Sequence, residues 1–130
     1  MSAKSNLEDA YGVWEQLTRS EGAAIQNEDW SRVTECQRSK QDLQKEIIQL
    51  TEFAQAECRV AGGDPRHLEQ DMRPIINSLI ALETRNAELL ASRRRATEAR
   101  RLHLDQAVHN LRRVQKSYTT PVNAVWNSYS

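Results

Sequence analysis

Glycine and proline are scarce in this sequence, which has four Gly and three Pro among 130 residues. Average usage of the two together is roughly 12%, about twice the share found here. Sandwiches, barrels and α/β folds need a turn every ten residues or so, and the chain is too poor in turn-forming residues to supply them. We therefore expect a few long helices in one domain, since domains typically span about 100–150 residues.

Long apolar runs and net charge are missing as well. No apolar run approaches the roughly 18 residues of a membrane-spanning helix. The segment from Met1 to Leu17 lacks a basic stretch followed by an apolar one, so no signal peptide is predicted. The 18 Lys and Arg residues cancel the 18 Asp and Glu residues, so bulk charge indicates neither a polyanionic nor an acidic-membrane partner. These absences predict a cytoplasmic protein without membrane insertion.

Residue patterns that carry catalysis or bind metals are also lacking. Cys36 and Cys58 do not have zinc-site spacing, and both fall in apolar helical pattern that is typical of buried thiols. His103 and His109 are six positions apart and so lie on different faces of a helix. No HExxH, GxSxG, P-loop or GxGxxG motif occurs. We expect no catalytic residue, no metal site and no cofactor.

The first half of the chain contains apolar residues at helical spacing. Ser5 and Glu8 form the pattern of a capping box and predict a first helix over about 6–27. Asp29 is a good N-cap for a second helix over about 30–61, which Gly62 and Gly63 end. The connection is short, so we expect the two helices to run antiparallel. The predicted apolar stripes are Leu7, Tyr11, Trp14, Leu17, Ala24 and Ile25, then Trp30, Val33, Cys36, Lys40, Leu43, Ile47, Leu50 and Ala54.

The second half predicts one long helix. Asp64-Pro65 is a strong helix-start signal, and we expect a short helical turn there, with Pro74 opening or kinking a third helix over about 74–118. Thr120-Pro121 ends it because a residue before proline disfavours helical angles. The predicted fold is all-α: an antiparallel three-helix bundle or coiled coil over 1–118, with an extended third helix and a flexible tail over 119–130.

The unequal lengths of these helices predict a partner-binding surface. Counting along antiparallel helices from Pro74 places residue 106 opposite Trp30, so residues 107–118 are expected to extend past the other two helices. An apolar stripe with nothing intramolecular to cover it is typical of an interface. The alternatives are that Trp126 and Tyr129 of the tail pack back on the stripe, or that the register differs by two helical turns. The predicted partner-binding residues are Val108, Leu111, Val114, Tyr118, Arg112, Arg113 and Trp126.

Charge is divided unevenly along the chain. Residues 1–92 hold 10 Lys and Arg against 16 Asp and Glu, whereas residues 93–130 hold 8 against 2. The densest basic block, Arg93–Arg101, is interpreted as a solvated helix face that pairs with the acidic helices. Nucleic-acid binding is the less favoured reading, because it requires a net basic surface and a recognisable motif.

Two tryptophans are placed near the turn between the first two helices. Trp14 and Trp30 are predicted to pack in the core and hold that hairpin together. Trp126 lies in the tail near Tyr129, a combination that is common at interfaces.

The pattern resembles the flagellar type III export chaperones of the FliT/FlgN kind. The residues that carry the likeness are Asn27-Glu28-Asp29-Trp30 at the opening of the second helix and Leu111-Arg112-Arg113-Val114-Gln115-Lys116-Ser117-Tyr118 at the end of the third. The resemblance spans about residues 7–118. Neither motif is specific, and the Arg93–Arg101 block and the aromatic residues of the tail are not part of the family's pattern.

This resemblance implies a cytosolic chaperone that binds the helical C-terminal segment of an export substrate, such as a filament-cap or hook–filament junction protein. It would prevent premature assembly and deliver the substrate to the export gate and ATPase complex. Tyr118 would correspond to the tyrosine that docks on the gate. A structural coiled-coil protein that homodimerises through the third helix is the alternative.

Overall fold

The computed structural model describes residues 2–118, without the side chains at 115, 117 and 118. Three helices make up this part of the chain: α1 (Ala3–Gln26), α2 (Trp30–Val60) and α3 (Pro65–Tyr118). No strand occurs within residues 2–118. The predicted all-α class with three helices is confirmed, and the predicted tail over 119–130, with Trp126 and Tyr129, lies outside the described residues.

The ends of α1 and α2 are closed by hydrogen bonds to the backbone. α1 begins one turn before the predicted capping box, because Ser2 rather than Ser5 is its N-cap and accepts from the Ser5 backbone N–H at 3.0 Å. Asp29 is the N-cap of α2, as predicted, and accepts from the Arg32 N–H at 3.2 Å. α2 ends where Gly62 adopts a φ of 82°, a left-handed conformation that glycine accepts without a Cβ clash.

The start of the third helix is corrected by the structure. α3 begins at Pro65, directly after Asp64, and continues through Pro74 instead of starting there. Leu68 and Met72 precede Pro74 and are buried against Ala3, Leu7 and Ala54. Helical geometry is needed on both sides of Pro74 to keep this apolar face toward α1 and α2, and the burial offsets the hydrogen bond that proline cannot donate.

The early start of α3 also changes the expected register. Ala54 and Leu68 belong to the apolar cluster near one end, and Leu89 and Leu90 pack on the cluster of Ala24, Ile25 and Val33 near the other. Leu89 and Leu90 therefore lie near the first turn of α2, earlier in α3 than the count from Pro74 predicts. The helices run antiparallel in sequence order, as predicted.

The contacts divide the chain into two units, unit 1 over residues 1–93 and unit 2 over residues 94–130. In unit 1 the backbones of α1 and α2 approach closely, whereas α3 keeps a wider separation from both. Small buried side chains in α1 permit the close approach, namely Ala3, Ala10 and Ala24. Lys4 Nζ pairs with Asp71 at 2.8 Å on the surface, and this contact lowers the pKa of the Asp71 carboxyl.

The two tryptophans do not share the predicted role. Trp30 is 42% exposed, so its predicted place in the core is wrong. Trp14 is half-buried in the middle of α1, away from the turn, and its indole N–H donates to Glu83 of α3 at 3.1 Å. The turn is held instead by its own backbone bonds, including Asp29 N–H to the Ala24 carbonyl at 2.9 Å.

In unit 2 nearly all of the described helix is exposed, with Ala96 half-buried. Every described side chain from 97 to 114, and that of Lys116, is exposed. No helix in the described part of the chain is long and apolar enough to cross a membrane.

Replacing Pro74 with alanine tests whether α3 is one continuous helix. Pro74 is exposed, so Pro74→Ala removes little packing and restores a backbone donor inside the helix. We expect the free energy of unfolding to rise by about 1–3 kcal/mol. Thermal and urea denaturation followed by circular dichroism measure this, with Asn77→Ala on the same exposed side as a control that gains less than about 1 kcal/mol. Equal or lower stability for Pro74→Ala would contradict a continuous helix.

Candidate partner-binding surface

A buried polar network joins all three helices at the middle of unit 1. Lys40 of α2 lies at its centre, and its Nζ donates to Glu21 Oε1 of α1 at 3.1 Å and to Glu83 Oε1 of α3 at 2.6 Å. The side chains of Lys40 and Glu21 are only 8% and 5% exposed, while that of Glu83 is 37% exposed. Lys40 belongs to the apolar stripe predicted for α2, and its burial in that stripe is confirmed.

Trp14 and Thr18 complete the network on the α1 side. Lys40 Nζ lies 5.5 Å from the centre of the Trp14 ring, within the range of a cation–π contact. The Thr18 hydroxyl has a single proton, which it donates to the Trp14 carbonyl at 2.8 Å or to Glu83 Oε1 at 3.0 Å. Every buried side-chain nitrogen and oxygen in the described residues has a partner. The arrangement therefore satisfies the charges that it takes out of water.

Asn86 extends the network by one turn of α3. Its side-chain amide donates to the Thr18 carbonyl at 2.8 Å and to Glu21 Oε1 at 3.1 Å. Gly22 provides the space, because a Cβ at that position would lie 2.7 Å from Asn86 Oδ1. No role for Gly22 is predicted from the sequence.

Beside this network unit 1 has an open apolar groove of about 400 Å³. Part of its lining faces solvent, since Ile48, Ile76 and Ile80 are 54%, 37% and 57% exposed. Burial raises the pKa of the Tyr11 phenol above its usual value. The groove is lined by Tyr11, Trp14, Gln44, Ile47, Ile48, Ile76, Leu79, Ile80, Glu83 and Thr84.

This groove is not among the features predicted from the sequence, although a signal for it is present there. Neighbouring apolar pairs occur at Ile47-Ile48, Ile75-Ile76 and Leu79-Ile80. In each pair the first residue is buried or half-buried and the second is exposed. A single row of apolar residues is enough to pack a helix on its neighbours. A second apolar row beside it therefore indicates a second apolar face.

The predicted partner-binding residues lie in unit 2. Val108, Leu111 and Val114 are 46%, 68% and 50% exposed. Arg112 and Arg113 are exposed beside them. The structure thus places these five side chains on one exposed helical segment, and their binding role stays a prediction. Tyr118 is the last residue of α3, and its side chain, like all of Trp126, lies outside the described residues.

The basic block carries an ion pair within its own helix. In the Arg93–Arg101 block, Arg101 pairs with Glu98 of the same helix at 2.9 Å. Within residues 2–118, no group of three His, Cys, Asp or Glu side chains is placed to hold a metal ion. The features of the described residues that point to function are the groove of unit 1 and the apolar stripe of unit 2.

Comparison with protein-family models, curated proteins and solved structures finds no match to this chain.

The two glycines within α1 provide a matched test of the network. Gly12→Ala meets nothing within 4 Å and should raise the free energy of unfolding by about 0.5–1 kcal/mol through helix propensity. Gly22→Ala must displace Asn86 from two hydrogen bonds, and we expect a net loss of about 1–2 kcal/mol. Urea denaturation of both variants measures the difference. Equal stabilisation by the two changes would show that Asn86 is not held in place.

Proposed function

We propose that this protein is a helix-binding chaperone, and that an amphipathic helix of a client protein binds in the groove of unit 1. The observation that carries the proposal is the doubled apolar face of α2 and α3, which leaves Ile48, Ile76 and Ile80 exposed around a groove. A client helix placed there would complete a four-helix arrangement. Helix-in-groove binding of this kind uses apolar anchors one helical turn apart, as Ile76 and Ile80 are.

The apolar lining of the groove suits a client helix whose own apolar face is uncovered in the free state. An isolated amphipathic helix has no core on which to bury its apolar face, so that face promotes self-association. Burial of this apolar face in the groove stabilises the complex by about 25 cal/mol for each Å² removed from water. The chaperone would therefore prevent premature assembly by covering the assembly surface of the client.

We further propose that the client is a late substrate of flagellar type III export and that the protein acts in the cytoplasm. The support is the resemblance of the Asn27–Trp30 and Leu111–Tyr118 segments to chaperones of the FliT/FlgN kind. In this proposal the groove binds the helical C-terminal segment of the substrate. The exposed stripe of Val108, Leu111 and Val114, with Arg112 and Arg113, then serves for delivery to the export gate or ATPase complex.

A groove variant and a control variant of similar exposure test this function. Ile80 is 57% exposed in the groove, and Val13 is 50% exposed on α1 outside it. We expect Ile80→Asp to weaken client binding at least about tenfold and Val13→Asp to change it less than about threefold, because a carboxylate in an apolar contact loses its hydration. Isothermal titration with purified filament-cap and hook–filament junction proteins from the same genome measures the affinity of both variants. Leu111→Asp, titrated in the same way, tests whether the stripe of unit 2 contributes to client binding.

Two outcomes of this titration would contradict the proposal. One is that neither class of protein binds the wild-type chain. The other is that Ile80→Asp and Val13→Asp weaken binding equally. Denaturation curves of each variant establish that the fold is retained.

A structural protein that homodimerises through α3 is the second candidate. The observation that favours it is the row of exposed apolar residues in unit 2, where Leu104 and Leu111 are 63% and 68% exposed. In this case sedimentation at about 10 μM, where a dimer of micromolar affinity is populated, would show a dimer that Leu111→Asp dissociates. A monomer at that concentration would reject a constitutive dimer and leave the chaperone proposal.

A further inference from the structure

We infer that the groove selects a client helix that carries a lysine or arginine beside its apolar stripe, and that Glu83 is the residue that recognises this cation. The inference rests on the proposed function, because it specifies the chemistry of the helix that the groove binds. Glu83 belongs both to the buried network and to the lining of the groove.

Glu83 has acceptor capacity that the network leaves unused. The hydrogen bonds from Lys40, Trp14 and Thr18 all reach Oε1. Within the described residues no hydrogen bond reaches Oε2, and the side chain is 37% exposed. A carboxylate can accept about four hydrogen bonds in all. Because Glu83 lines the groove, we assign this unused acceptor capacity to a donor on the bound helix.

The charge balance of the network also favours a cation. Glu21 and Glu83 contribute two carboxylates to Lys40's one ammonium, so the three groups carry one excess negative charge. Glu83 is the one charged residue among those described as lining the groove. Unit 1 as a whole is acidic, with 11 Lys and Arg against 16 Asp and Glu in residues 1–93.

This excess charge turns Glu83 into a specificity determinant. A purely apolar helix in the groove would remove water from Oε2 and supply nothing in its place, which is costly for a carboxylate. A lysine or arginine would replace that water with a charge-assisted hydrogen bond. Discrimination therefore comes mainly from the penalty on helices that lack the cation.

The position of Glu83 fixes where the cation belongs. Ile76, Ile80 and Glu83 follow one another at spacings of four and three along α3, so they lie on one face. A client helix that packs along this face would carry its cation about one turn, roughly 5 Å, from the apolar residue that contacts Ile80.

A displayed peptide library tests this inference on the full-length protein. The library consists of helical peptides of about 20 residues, roughly 30 Å long, with a fixed Leu/Ile stripe and randomised positions beside it. It is selected on the wild-type protein, with Ile80→Asp as the counter-selection target. We expect the recovered peptides to be enriched in Lys or Arg at one position, and this enrichment to disappear when Glu83→Gln is the target.

Purified peptides then quantify the contact by fluorescence anisotropy. Replacing the selected Lys or Arg with Gln should weaken binding to the wild-type protein at least about tenfold, and binding to Glu83→Gln by less than about threefold. Glu83→Gln keeps an oxygen for Lys40 and Trp14, and its melting curve is measured first. If that variant is unstable, the substitution on the peptide side still tests the inference on the wild-type chain.

The outcomes separate this inference from the proposed function. Two results would overturn the role of Glu83 and leave helix binding in place. In the first, the recovered peptides depend on Ile80 but are not enriched in Lys or Arg. In the second, they show the same Lys or Arg enrichment on Glu83→Gln as on the wild-type protein. Recovery of no peptide that depends on Ile80 would overturn both.

Discussion

The hydrogen bonds of Lys40 to Glu21 and Glu83 are the contact on which the rest of unit 1 depends. Lys40 reaches α1 and α3 at once, at 3.1 and 2.6 Å, in the middle of a bundle whose two apolar clusters lie toward its ends. A charge so deeply buried must be paired, because an unpaired one costs several kcal/mol. The three helices can therefore adopt only registers in which these side chains meet.

This requirement explains why the bundle is specific as well as apolar. Small residues in α1 bring its backbone close to α2, while α3 stands farther off and is reached through longer side chains. Apolar clusters alone tolerate slippage by a turn, since leucine-rich faces are similar at each level. The Lys40 network and the Asn86–Gly22 contact add directional bonds that a slipped α3 would lose. Buried polar residues fix register in other helical assemblies in the same way.

The same geometry leaves an opening that a client helix can use. Because α3 is held at a distance, the second residues of the Ile47-Ile48, Ile75-Ile76 and Leu79-Ile80 pairs remain exposed around the groove. Glu83 connects the two features, as it pairs with Lys40 on one side and lines the groove on the other. The proposed chaperone function and the proposed cation preference both follow from this one placement.

Much of the fold could be predicted from the sequence by itself, because helix caps and apolar periodicity are local. The scarcity of Gly and Pro, the Asp29 cap and the Gly62 stop indicated long helices and an antiparallel order, and the structure has them. The start of α3 at Pro65 rather than Pro74 depends on the burial of Leu68 and Met72 against other helices. Only the tertiary structure decided the groove and the network. The distance between helices far apart in sequence determines which member of each apolar pair is covered. The same distance determines which carboxylate meets Lys40.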